Sequence, residues 1–257
     1  MNSQILGLKE LQSNDNYELL TNVDLMNNRL NTIPNELFEC IKLEQLILAN
    51  NELIELTSKL QVFEQLKSLI VNDNKLKEIP AEIGLLENLE IELNLHNNQI
   101  HQIPVTIGNL RKLKSLNLAN NELHNFPEEL GMLFQLEQLD LSDNKINSIP
   151  VSIYILPKLK KVNLRNNVLE KIPEVVVPIS NLEVLDLSGN LLTDFPRGIG
   201  CCTNLKELDL SHNNISQIPA EILQLNKIER IDMRGNEHLK IPAWIEALEE
   251  KGCKVYV

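Results

Sequence analysis

Asparagine stands at residues 28, 51, 74, 98, 121, 144, 167, 190, 213 and 236, a spacing of 23 with a single 24. Each lies in the same frame, as in Leu113, Leu116, Leu118, Asn121, Leu123, Phe126 and Pro127. It is repeated further on as Leu159, Val162, Leu164, Asn167, Leu169, Ile172 and Pro173. A fixed period of about 20–50 residues is the signature of a stacked repeat architecture. One unit cannot bury its own apolar face, so only stacking on neighbours gives a continuous core. This register constrains nearly the whole chain to one α/β solenoid of about ten turns.

Within each unit apolar and polar residues alternate, as in Leu139-Asp140-Leu141 and Leu208-Asp209-Leu210. A period of two makes a short strand with its leucines inward and the residue between them on the open face. Stacked copies give a parallel concave sheet. The asparagine offers a buried amide to backbone groups that a tight coil leaves unsatisfied, so Asn51 to Asn236 are expected to form a ladder bonded to their own and adjacent turns. The pairs Ile33-Pro34, Ile79-Pro80, Ile103-Pro104, Ile149-Pro150, Ile172-Pro173, Ile218-Pro219 and Ile241-Pro242 then turn the chain outward, with Phe126-Pro127 and Phe195-Pro196 in the same place. Proline fixes φ and keeps the preceding residue extended, which stops the strand. The positions that follow suit short 3₁₀ or irregular convex segments.

Three units depart from the frame: the second has Leu56-Thr57 in place of the proline, the fourth has an extra residue in Glu90-Ile91-Glu92, and the seventh carries Val175-Val176-Val177-Pro178. The last reads as an extended convex segment, and all three read as local bulges. At the start, Ile5, Leu8 and Leu11 have helical spacing over Ser3 to Gln12, ended by Asn14-Asp15-Asn16. At the end, Ile245 and Leu248 share a helical face, Gly252 suits a helix stop, and Cys253 to Val257 read as a closing strand. The expected organisation is an N-terminal helical cap over residues 1–19, repeats over 20–242 and a C-terminal helix-strand cap over 243–257.

The net charge of −12 argues against nucleic acid and anionic membrane as partners. Aromatics make up only 4%, which argues against a base-stacking surface. The first residues lack the apolar core of a signal peptide, and no apolar run reaches the ~20 residues of a membrane span. The four cysteines, Cys40, Cys201, Cys202 and Cys253, read as thiols in a reducing compartment, giving a cytoplasmic expectation.

No sequence feature supports an active site. The glycines form no phosphate-cradling loop and no nucleophile elbow. His101 and His124 share a repeat position, but no further ligand type accompanies them for a metal. Cys202 occupies a convex core position like Leu156 and Leu225, so the vicinal Cys201-Cys202 pair reads as structural. Val255-Tyr256-Val257 fits either a closing strand or a C-terminal strand-addition ligand. Asp24, Asp140, Asp186, Asp209 and Asp232 recur one turn apart, but general acid/base work needs a sheltered site that an open sheet lacks. The expectation is a non-enzyme with no cofactor and no metal.

The outward strand positions list the concave face. In the first half Met26, Ile47, Ala49 and Ile70 make an apolar patch, followed by Asn94 and His96. In the second half Lys161 and Arg165, then Arg230 and Arg234, flank an acidic stretch at Asp186, Glu207 and Asp209, and Asp140 and Asp232 stand on the same face. An apolar patch rimmed by polar groups suits a protein partner, and the charged half suits steering. The competing readings are strand propensity for the isoleucines and solubility for the charges.

With Leu-x-x-Leu-x-Leu-x-x-Asn-x-Leu-x-x-Ile-Pro-x-x-Ile repeating from Leu20 to Ile245, the chain resembles the 23-residue class of intracellular leucine-rich repeats. It is similar to the Ras-suppressor and Ras-scaffold proteins and to the leucine-rich regions of fungal adenylyl cyclases. The resemblance implies a leucine-rich-repeat horseshoe with capped ends, and a cytoplasmic protein-interaction module attached to small-GTPase or phosphatase signalling. It carries over no catalytic residues, and concave contacts vary by member. Secreted relatives close their ends with paired cysteines, which this N-terminal cap lacks. The expected function is a monomeric, non-catalytic scaffold or adaptor binding a protein on its concave face. The alternative is a regulatory module acting in trans on an enzyme such as a protein phosphatase.

Overall fold

The computed structural model describes residues 4–173, 179–195 and 197–257. Its strands are β1 (Gln4–Leu6), β2 (Asn22–Asp24), β3 (Gln45–Ile47), β4 (Ser68–Ile70), β5 (Glu92–Asn94), β6 (Ser115–Asn117), β7 (Gln138–Asp140), β8 (Lys161–Asn163), β9 (Val184–Asp186), β10 (Glu207–Asp209), β11 (Arg230–Asp232) and β12 (Lys254–Tyr256). All lie in one 12-stranded sheet in sequence order, and each pairs in parallel with the next. The register places equivalent residues side by side, such as Ile47 beside Ile70. The middle residue of nearly every strand is buried (Leu46, Leu69, Leu93, Leu116, Leu139). Convex segments are short 3₁₀ turns such as Ala81–Leu85 and Val105–Asn109. This is the expected solenoid, and its core is one continuous column of leucine and isoleucine.

Thr57 replaces proline successfully. Its backbone is extended at φ −77° and ψ 151°, and its hydroxyl accepts from the Lys59 amide at 3.3 Å. The extra residue of the fourth unit is absorbed before β5. The Glu90 and Ile91 amides both donate to the Lys67 carbonyl, at 3.2 and 2.9 Å, while Ile91 projects into solvent. The expected extended segment Val175 to Pro178 lies outside the described residues.

The N-terminal helix is shorter than its spacing suggests. Gln4–Leu6 pairs with β2 as β1, and only Leu8–Gln12 is helical, as α1. The open edge of β2 presents unpaired backbone groups, and strand addition satisfies them. An isolated helix of about ten residues gains little in water, and Gly7 at φ 131° permits the break between the two. At the other end α2 (Glu246–Glu250) leads into β12, which pairs with β11. Val255 and Tyr256 are therefore held in the sheet as a closing strand.

Three ladders run along the stack. The inner one is the expected asparagine ladder. Asn144 Nδ2 donates to the carbonyls of Leu118 (3.0 Å), Leu141 (3.1 Å) and Ser142 (3.0 Å), and its Oδ1 accepts from the Leu123 amide (3.0 Å). Asn51 to Asn236 repeat this pattern and are all buried. The second ladder involves the residue just before each asparagine, which takes positive φ: Asn27, Asn50, Asp73, Asn97, Asn120, Asp143, Asn166, Gly189, His212 and Gly235. Asn, Asp and Gly tolerate the left-handed region best, so the composition of this column follows from the backbone. Its side chains also stack, with Asn120 donating to Asn97 at 2.7 Å and Asn166 to Asp143 at 2.8 Å.

The third ladder is charged. The flank position before the strands reads Glu44, Lys67, Glu90, Lys114, Glu137, Lys160, Glu183, Lys206 and Glu229, alternating without exception. Ion pairs form at Lys67–Glu44 (2.9 Å), Lys160–Glu137 (2.7 Å) and Lys206–Glu183 (2.7 Å). Alternation favours in-register stacking of neighbouring turns, because a slip by one turn would set like charges side by side.

Candidate functional site

The concave face is built from the outward residues of each strand and of the short extension after it. The last strand residue has a structural task in most turns. Asp24 Oδ1 accepts from the Met26 amide (2.9 Å), Asn94 from His96 (3.2 Å), Asn117 from Ala119 (3.0 Å) and Asn163 from Arg165 (3.1 Å). Asp140, Asp186 and Asp209 do the same for Ser142, Ser188 and Ser211, whose hydroxyls also donate to the same oxygens at 2.6–2.7 Å. An Asx side chain that satisfies the amide two residues on ends the strand and starts the turn. The recurrent aspartates are thereby accounted for without chemistry.

Turns two and three abandon this arrangement. Ile47 and Ile70 occupy the Asx position, offer no acceptor, and stand partly exposed on adjacent strands. Met26, one strand earlier, is 44% exposed. Ile47 and Ile70 sit side by side in register, and Met26 lies diagonally from Ile47, two residues beyond its partner Asp24, so the three make an apolar strip. Ala49, expected in the same patch, is only 1% exposed and adds nothing to it. The residue is small and lies beneath its neighbours on the strand extension. Asn94 and His96 follow on the next strand, both half-buried.

Around the strip the field is acidic. From β2 through β7 the outward positions include Asp24, Glu92 and Asp140 but no lysine or arginine. Asp73 sits beside them at positive φ, and its carboxyl is held below the usual carboxylate range, chiefly by the Asn97 side-chain hydrogen bond.

The charged second half separates into two parts. Lys161, Arg165 and Glu207 are exposed, and Asp186 and Asp209 are half-buried strand ends. The expected trio Arg230, Asp232 and Arg234 is assembled as a cluster round one buried carboxylate, with both arginine side chains still partly in solvent. Asp232 is buried, with 2% side-chain exposure, and accepts from Arg230 Nη2 at 3.0 Å and from Arg234 Nε at 2.9 Å. The hydrogen bond from Arg234 is the main cause that holds its carboxyl below the usual range. Both guanidinium groups lie over the Tyr256 ring, at 5.5 and 5.1 Å from its centroid. These residues fasten β12 to the sheet, a task hidden from the sequence because it depends on Tyr256 returning beside β11. Asp232 is not accessible to a partner in this arrangement.

Among the described residues, no group of three histidine, cysteine or carboxylate side chains converges as metal ligands. His101 Nε2 lies 3.8 Å from Glu78, both in solvent. All four cysteines are unpaired; Cys40, Cys202 and Cys253 are buried, and burial pushes the Cys40 and Cys253 thiols up to about 11. No helix among the described residues is long and apolar enough to cross a membrane.

Among solved structures, a leucine-rich-repeat protein of Leptospira interrogans is 30% identical, with a TM-score of 0.84 over 99% of this chain and 70% of its own. A plant peptide hormone receptor in complex with its peptide is 30% identical (TM-score 0.70), matching 98% of this chain and 45% of the receptor. The leucine-rich ectodomain of an Arabidopsis receptor kinase, solved with a peptide hormone ligand, is 31% identical (TM-score 0.72), matching 84% of this chain and 38% of that one. The chain thus spans less than half of either plant receptor. No curated protein matches the sequence. Leucine rich repeat matches fall at residues 64–123, 111–169, 134–192 and 180–237, together more than half of the chain. The chain belongs to the leucine-rich repeat family.

Proposed function

We propose that this protein is a non-catalytic interaction module that binds a protein partner through Met26, Ile47 and Ile70 on the first half of its concave face. The observation that carries this reading is the exchange at Ile47 and Ile70. Two consecutive turns give up an Asx hydrogen bond, worth about 0.5–1.5 kcal/mol each, and carry partly exposed aliphatic side chains instead. Strand propensity alone does not favour this loss at two adjacent turns, whereas a protein contact does. The two plant relatives, each solved with a peptide, are in keeping with a protein or peptide ligand.

The finer reading is a monomeric cytoplasmic scaffold or adaptor in small-GTPase signalling. The 23-residue Asn and Ile-Pro frame, similar to Ras-suppressor proteins, and the four unpaired thiols support it. Regulation in trans of a protein phosphatase is the alternative on the same resemblance.

The test places a photo-reactive amino acid at position 47, at 70, or at the exposed convex position 105, in cells that make the protein. Partners should cross-link from 47 and 70 but not from 105, and should be lost with Met26→Ser. Equal cross-linking from the convex side removes the reading.

A further inference from the structure

Resting on that concave reading, we infer that the occupant of the strip is a short extended segment whose aliphatic side chains are bracketed by lysine or arginine. Four observations fix this chemistry. Ile47 and Ile70 are paired in register on adjacent strands, so they present one small aliphatic platform with Met26 at its border. The platform is bracketed diagonally by acids: Asp24 pairs with Ile47 on one side, and on the other Glu92 of β5 pairs with Ser68, two residues before Asn94, the partner of Ile70.

These acids are not neutralised within the protein. The lysines of this half serve elsewhere, Lys67 on Glu44 at 2.9 Å and Lys75 on Glu52 at 2.8 Å, both off the concave columns. Among the described residues neither Asp24 nor Glu92 forms an ion pair, and no lysine or arginine stands on the outward positions from β2 to β7. Cation supply is therefore left to the ligand.

The dimensions agree. Asp24 and Glu92 are three strands apart and offset by two residues, which is about 14 Å across and about 7 Å along the strands, or about 16 Å in all. An extended segment crosses that distance in about four to five residues. A base, two aliphatic residues and a second base fit that span, with long basic side chains reaching outward to the carboxylates. Large aromatic anchors have no pocket here, since the strip is a shallow face over fully buried Leu46 and Leu69.

The test uses phage-displayed random peptides of about ten residues, twice the span of the platform, panned on the full chain. Enriched sequences should carry Leu, Ile or Val flanked by Lys or Arg. The Asp24→Asn/Glu92→Gln variant should weaken a synthetic enriched peptide by about tenfold or more at low salt, as loss of complementary charge does. That variant keeps its fold, because asparagine already ends the strand at Asn94, Asn117 and Asn163. Ile47→Asn/Ile70→Asn should abolish binding altogether. Enrichment of acidic or purely aromatic sequences, affinity unchanged in the acid-removing variant, or no enrichment at all would overturn the inference. The two failures are separable. A cellular partner that cross-links from positions 47 and 70 through a neutral or acidic segment ends this inference and leaves the concave reading standing. No cross-link from those positions ends both.

Discussion

Removing one rung of the inner asparagine ladder should cost less than its number of hydrogen bonds suggests, and removing two adjacent rungs should cost more than twice as much. In Asn144→Ala three donated bonds disappear. The Leu118 carbonyl keeps the amide of Asn121 (3.0 Å), the Leu141 carbonyl keeps that of Asn167 (3.0 Å), and the Ser142 carbonyl keeps the Asn120 backbone amide (2.9 Å). Only the Leu123 amide, bonded to Asn144 Oδ1, is left buried without a partner. One orphaned donor costs about 1–3 kcal/mol. Asn121→Ala likewise strands only the Ile100 amide. In the double variant the Leu118 carbonyl loses both of its amide partners and becomes a third orphan. The coupling between the two substitutions should therefore be about 1 kcal/mol or more beyond additivity, in the range seen for residues sharing a hydrogen-bond network. The control pair Asn121→Ala/Asn213→Ala shares no carbonyl and should be additive within about 0.5 kcal/mol. Urea unfolding of the wild type, singles and both doubles measures this. Equal additivity in the two pairs would refute the shared-carbonyl account.

Further predictions concern the surface and the ends. Ile47→Asn/Ile70→Asn should keep stability within about 1 kcal/mol of wild type, because two recovered Asx bonds offset lost strand propensity; a large loss in the same unfolding assay would show the isoleucines to be structural. The charged flank should give stability a pH plateau. Lys160 and Lys206 hydrogen bonds hold Glu137 and Glu183 below the usual glutamate value, while Glu137 and Glu183 raise those lysines. The glutamate contribution is complete above about pH 4.3 and is lost as pH falls through the lowered values; the lysine contribution is complete below about pH 10.4 and is lost as pH rises through the raised ones. A Glu137→Lys chain should lose this acid-side dependence in part and be stabilised by salt, and a melting temperature insensitive to salt would count against the ladder. Asp232→Asn should destabilise the C-terminal turn by about 1–3 kcal/mol, because two arginines lose a buried carboxylate; Trp244, the chain's 1 tryptophan, reports the loosening by fluorescence. Gly131→Ala should also destabilise, since a Cβ there would meet Ser152 Cβ at 2.6 Å and its carbonyl oxygen at 2.7 Å. An unchanged melting temperature would mean that the convex turns can separate freely.

The sequence determined the solenoid, because a strict 23-residue register with one apolar face per unit has a single way to bury that face. Asn144 could be assigned its buried task from the pattern alone, since an amide at a fixed place in a tight coil has backbone groups as its only regular partners. Met26, Ile47 and Ile70 were likewise legible as an outward apolar strip, because alternation along a strand fixes which side chains face out. Sequence spacing did not reveal which outward positions were already committed. The Asx bonds of Asp140 and Asp209 depend on the strand-end backbone, and the alternation of Glu44 to Glu229 matters only once turns stack within reach of one another. At the ends the repeat no longer dictates structure, so only the fold could show that Gln4–Leu6 pairs as a strand rather than continuing a helix. It also showed that Tyr256 returns over Arg230 and Arg234, so that Asp232 belongs to the closing of the sheet and not to its open face. Local periodicity sets what each turn buries; contacts between residues one or more turns apart decide which polar groups remain available to a partner.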